Sequence, residues 1–154
     1  MFMKHVNSQA VSPLCQVCVA LVLLIATGCS TFHRDWRKAA AEPAPASDIS
    51  GRWEGRWLSD VNGHAGRLRC LIVRLENGRY EARFHANYRK IFSFGYTVPL
   101  RAQETAGTLQ FKGEADLGRL AGGRYSYEGQ ASPTNFFSVY RAARDHGTFR
   151  MTRP

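Results

Sequence analysis

The sequence predicts an all-β domain: an eight-stranded antiparallel up-and-down barrel that follows an apolar leader and a linker. Three observations carry that expectation. From residue 51 onward apolar side chains recur at alternate positions, the period of strands with one buried face. Gly-containing turn signals interrupt the pattern at short intervals. Hydrophobic residues are 44% and aromatics 12% of the 154 residues, enough for a packed core and too many for a disordered chain. Closing such a sheet removes both of its exposed edges.

The strands follow in order. Trp53, Gly55 and Trp57 alternate with Arg52, Glu54 and Arg56, and Asn62-Gly63 is a hairpin signal. A turn centred there places Arg56 opposite Arg69. Leu68, Cys70 and Ile72 form the next face, but Leu71 and Val73 leave that strand apolar on both sides. After Asn77-Gly78, Tyr80, Ala82, Phe84, Ala86 and Tyr88 alternate with Arg79, Glu81, Arg83, His85 and Asn87. Phe92, Phe94, Tyr96, Val98 and Leu100 follow as an inward set. Pro99 lacks a donor and weakens the pairing at the end of that strand. Leu109, Phe111, Gly113, Ala115 and Leu117 come next, then Tyr125, Tyr127 and Gly129, then Phe136, Ser138, Tyr140 and Ala142, and finally Phe149 and Met151. The outward positions carry Arg and Glu instead of an apolar band, so a transmembrane barrel is not expected.

Ahead of the domain, residues 14–26 are uninterruptedly uncharged and mostly apolar, with Lys4 as the only Lys or Arg before them. A spanning helix needs about 20 apolar residues; this shorter run suits a signal peptide. Ala26-Thr27-Gly28-Cys29-Ser30 follows directly. It resembles the lipobox of bacterial lipoproteins, a resemblance that implies cleavage before Cys29 and acylation of its thiol with diacylglycerol and palmitate-type chains. Ala26 stands where that family most often has Leu. The expected organisation is a signal peptide over 1–28, a tether over 29–50 rich in Ala and Pro, and a barrel over 51–154. The implied location is the bacterial cell envelope, anchored in the outer membrane and facing the periplasm. Cys15 and Cys18 fall in the leader, and Cys70 reads as a small buried apolar residue.

Gly51-Arg52-Trp53 on the first strand, an Arg at the end of the last, and the ending Gly147-Thr148-Phe149-Arg150-Met151-Thr152-Arg153-Pro154 are similar to the calycin group, the lipocalins and avidin-like barrels. That resemblance implies that Arg153, or failing it Arg150, packs over Trp53 and closes the barrel. It supplies no biotin site, because avidin's biotin-contacting residues have no counterparts here.

The residues point away from catalysis. No Gly-x-Ser-x-Gly is present, no strand Ser has a neighbouring His, and His64, His85 and His146 share no ligand spacing. No enzyme activity, metal or cofactor is expected. Two surfaces stand out instead. Trp53, Trp57, Phe84, Tyr96, Tyr125 and Tyr127 are candidate lining for an internal pocket, unless they simply fill the barrel. Arg52, Arg56, Arg67, Arg69, Arg79 and Arg83 lie on the outer faces of the first three strands, in a chain of formal net charge +9. They suit an anionic lipid surface or an acidic envelope protein; nucleic acid is not an expected partner of an exported chain. The leading expectation is therefore a lipid-anchored, non-enzymatic binding or structural module with a basic face. The alternatives are a carrier of a small apolar ligand and an inhibitor or accessory of another envelope protein.

Overall fold

The computed structural model describes residues 31–45, 48–88, 92–105 and 108–154. The expected leader, the cleavage site, Cys29 and Ser30 lie outside the described residues. Eight strands form one closed barrel in sequence order: β1 (Gly51–Ser59), β2 (Ala65–Arg74), β3 (Tyr80–Tyr88), β4 (Phe92–Thr105), β5 (Thr108–Asp116), β6 (Arg124–Ala131), β7 (Asn135–Ala142) and β8 (His146–Thr152). Every neighbouring pair is antiparallel, including β1 with β8. The architecture is consistent with a calycin-like barrel. A helix, α1 (31–38), precedes the barrel, and a single 3-10 turn, Arg119–Ala121, sits between β5 and β6.

Turn chemistry sets the first registers. The β1–β2 loop closes by Ser59 N–H donating to His64 O (2.8 Å) and Gly63 N–H donating to Ser59 O (3.0 Å), with Gly63 at φ +69°. The loop is thus longer than a two-residue turn on Asn62-Gly63. Arg56 therefore pairs with Arg67, and Arg69 pairs with Glu54, not Arg56 as a turn centred on Asn62-Gly63 requires.

The two ends of the barrel differ. At the end where β1 begins and β8 finishes, the interior is full. Trp53 is wholly buried against Phe136 (centroids 5.8 Å), which stacks on Phe111 at 4.7 Å. Arg153 seals this end. Its guanidinium carbon lies 4.1 Å from the Trp53 ring centroid. Its nitrogens donate to the backbone oxygens of Ser50 (2.6 Å), Asp48 (2.7 Å) and Pro133 (3.0 Å). Arg150 instead faces outward over Phe137 (4.8 Å). Trp53 Nε1–H donates to Ile49 O at 2.8 Å, so the indole is held at its edge as well as across its face.

The opposite end stays open because β4 leaves the barrel wall. β4 pairs with β5 only over Leu100–Thr105, while Phe92–Pro99 pair with β3 alone. Gly113 marks the crossing: a Cβ there would lie 2.8 Å from Pro99 O and from Val98. This corrects one expectation. Phe92 and Phe94 continue the inward parity of β4 but are exposed, 63% and 46%, because no β5 partner covers them.

The tether also departs from an extended chain. Its residues 31–38 are helical and dock on the outside of β1–β3. Phe32 and Trp36 are spaced i, i+4 and so share one helix face; both are buried, with Leu71 beneath them. This explains Leu71 on the outward face of β2, whereas Val73 stays exposed. Burying the two rings contributes about 1.5–3 kcal/mol each, against about 1–2 kcal/mol per residue to order the backbone. Ring burial alone falls short of that ordering cost, so α1 also depends on its backbone hydrogen bonds and on its contacts with Arg52, Arg69 and Arg83.

Replacing Arg153 by Ala is expected to destabilise the barrel by roughly 2–4 kcal/mol, since the cation–π contact and three charged hydrogen bonds go together. Urea unfolding measures it. Lys at this position should restore less than half of the loss, because an ammonium cannot span three acceptors and a ring. A change within about 0.5 kcal/mol would show that the seal is ornamental.

Candidate functional site

The basic outer face is largely occupied by the chain itself. The guanidinium carbons of Arg52 and Arg69 lie 5.4 and 5.1 Å from the Trp36 ring centroid. Arg83 sits 5.9 Å from Phe32 and pairs with Asp35 at 2.7 Å. Asp35 thereby has its carboxyl held below the usual range, first by the hydrogen bond from Arg83 and then by that from Arg34. Arg67 and Arg69 both bond Glu54; their ion pairing holds that carboxyl below its ordinary value despite the opposing effect of burial, which is the largest single influence on it. Of the six arginines, Arg56 and Arg79 are exposed and, among the described residues, meet no ring or carboxylate partner.

His85, also outward on β3, is buried beneath α1. Its ring stacks on Phe32 at 5.1 Å and meets His33 edge-on at 4.9 Å, and its Nε2 is buried with no hydrogen-bond partner. Burial, then electrostatic repulsion from the neighbouring His33 and Arg69, depresses its pKa below the ordinary 6.5.

The open end holds the second candidate. A concavity of about 520 Å³ lies between Trp57, Phe94, Tyr96, Tyr125, Tyr127 and Tyr140. Its floor is the layer of Phe84 and Phe149, whose centroids are 5.5 Å apart; Phe84 stacks on Tyr96 at 5.2 Å. Small residues make the room: Ala86 on β3 and Gly122 beyond the 3-10 turn border the space. Gly66 is needed for the wall. A Cβ there would lie 1.8 Å from Asn87 O, the atom that accepts the Trp57 Nε1–H bond at 3.1 Å.

The cup's polar groups are mainly phenols. Burial pushes Tyr96 well above its ordinary value and raises Tyr127 and Tyr125 as well. Tyr140 is raised by burial and then by the Asp145 carboxylate beside it. These hydroxyls therefore remain neutral donors at physiological pH. Asp145 braces the rim: its two carboxylate oxygens accept from Ser59 Oγ (2.6 Å) and Tyr140 OH (3.1 Å), tying the β1 corner to the β7–β8 corner. The arrangement presents flat apolar walls, hydroxyl donors and one carboxylate to a ligand.

Four of the pocket candidates, Trp57, Tyr96, Tyr125 and Tyr127, line this cup. Phe84 lies beneath it, and Trp53 is at the sealed end, because its position at the start of β1 puts it under Arg153. Sequence reading missed Ser59 and Asp145, which look like ordinary turn residues; the signal was Asp145 preceding the last strand with a buried Tyr140 one hairpin away. It also missed the α1 contact, signalled by Leu71 and His85 at outward positions and by Phe32 and Trp36 one helical turn apart. A larger trough, about 720 Å³, runs between the linker and the outer wall of β1–β3; it is the crease beside a docked segment, bordered by charged side chains of both signs, among them Asp35, Glu42, Arg52, Arg74 and Arg83. Among the described residues no group of three or more His, Cys, Asp or Glu could hold a metal ion. Burial raises the Cys70 thiol well above its usual value.

No protein-family model matches the chain, and no curated protein and no solved structure matches it. The fold and the cup therefore define a class only: a small closed eight-stranded barrel, sealed at one end and cupped at the other.

Because the docked state holds His85 neutral, acid should loosen α1. Docking stability is complete above the ordinary pKa of 6.5 and falls as pH drops below it toward the depressed folded value, since the undocked state binds the extra proton. Amide exchange over residues 31–38 should therefore accelerate from neutral to mildly acidic pH, and His85→Phe should abolish that dependence. Unchanged exchange in the wild type would remove His85 from the docking account.

Proposed function

We propose that the protein is a lipid-anchored envelope binding protein whose cup takes a small, mainly apolar ligand, and that it is not an enzyme. The observation that carries the reading is the half-filled barrel: the sealed end is packed with rings, while the open end keeps about 520 Å³, within the ~300–1,000 Å³ typical of ligand sites. Neutral phenols at the wall orient a ligand by hydrogen bonds without demanding a charge on it. The engagement of Arg52, Arg69 and Arg83 by α1 weighs against the basic face as the principal binding surface. Anchoring through Cys29 remains part of the proposal, resting on the short apolar run and the Ala26-Thr27-Gly28-Cys29 sequence.

An uncharged fluorescent probe, N-phenyl-1-naphthylamine, should bind the protein with enhanced emission. Ala86→Phe places a ring in the cup and should weaken binding by at least about tenfold while leaving the far-ultraviolet spectrum unchanged. Equal probe binding by a folded Ala86→Phe variant would locate the site elsewhere. Separately, Cys29→Ser should move the protein out of the detergent-partitioning fraction or leave its leader attached, because stable anchoring requires more than one acyl chain. Wild-type protein recovered soluble with an unmodified Cys29 would contradict the anchor.

A further inference from the structure

We infer that the open end of the barrel rests on a lipid bilayer, so that the cup faces the membrane surface. The exposed large apolar side chains are not spread evenly. Val61 in the β1–β2 loop, Phe92 and Phe94 at the start of β4 and Leu120 in the 3-10 turn all belong to the open end, and Leu120 is fully exposed. They come from separate corners of the barrel, so they form the crown of the rim and not a strip along one strand. Among the described residues at the sealed end only Val73 and Leu75 are comparable, beside Glu76 and Asn77. Large side chains held in water at the tips of three connections are a marker of an interaction surface. Phe and Leu among them suit the acyl boundary of an interface, where apolar groups bury to shallow depth. Arg119 and Arg144 are exposed at the same rim and have no ion pair among the described residues, so they are available to headgroup phosphates.

The direction of α1 identifies the occupant as lipid. Phe32 and His33 contact His85, near the open end of β3. Trp36 lies lower, over Arg52 and Arg69, and the chain then passes Arg74 and Arg153 at the sealed end before entering β1. The helix therefore descends from the open end, and its first residues point to the rim. Cys29 precedes residue 31 by two positions, at most about 7 Å of chain. If Cys29 carries the anchor, as the proposed function holds, the anchored start of the chain and the apolar crown meet the same plane. A ligand can then pass between bilayer and cup along the stretch where β4 lacks a β5 partner.

A photoreactive benzophenone residue introduced at Leu120 of the full chain, in the cells that make it, tests the orientation, with the same residue at Asn77 as the sealed-end control. Irradiation should give lipid adducts from Leu120 at least about tenfold more often than from Asn77. Phe92 repeats the test on a second corner in case the first variant folds poorly. Equal lipid adducts from both ends, protein adducts from the rim, or no lipid adduct at either rim position would overturn the orientation. Failure of the anchor itself reads differently, as protein in the soluble fraction, and an empty cup leaves the adduct pattern untouched.

Discussion

Closure of β8 onto β1 is the constraint on which the rest depends. An eight-stranded sheet left open would present two unpaired edges, and its inward rings would face water. Here Glu54–Ser59 of β1 pair with Gly147–Thr152 of β8, and the residues just outside that ladder finish the task. Trp53 fills the bottom of the barrel, Ile49 accepts its N–H, and Arg153 lies across the ring while bonding three carbonyl oxygens from two different connections. One guanidinium thus joins the entry chain, the β6–β7 turn and the last strand. Arg suits this position because its planar fork can stack and donate in several directions at once.

Sealing one end leaves the space for the other. Trp53, Phe111 and Phe136 fill the lower barrel, and Phe84 with Phe149 make a floor above them. Beyond that floor the alternation of rings with Ala86 and the departure of β4 from β5 keep the interior from filling. The outside of β1–β3 follows a different logic. Arginines that would repel one another across strands are separated by Glu54 and by the aromatic face of α1, which offers ring faces and Asp35 to three guanidiniums. The helix satisfies the basic face over a histidine that must stay neutral.

The barrel was legible in the sequence because period two is unambiguous where one face is buried: Tyr80–Tyr88 alternates without a break, and every strand forms. The closing pair was legible from the residues at the two ends of the domain. Registers were not, since Asn62-Gly63 and Asn77-Gly78 announce a turn without fixing its length, and Gly63 serves a longer loop than a two-residue hairpin. Nor was the exposure of Phe92 and Phe94, because parity records which way a side chain points and not whether a neighbouring strand covers it. The docked helix escaped for a related reason: two rings one turn apart make too small an apolar face to distinguish from a tether, and only the outward Leu71 and His85 show what it covers.

Native mass spectrometry of the protein drawn from its own membranes in mild detergent tests the central claim, that the cup holds a small apolar ligand, most directly. The account predicts a discrete adduct of small-molecule mass on the intact protein, beyond the mass of any acyl chains on Cys29, released by collisional activation and absent from the folded Ala86→Phe variant. A bare protein mass at every activation energy, or an adduct that persists undiminished in that variant, would contradict it.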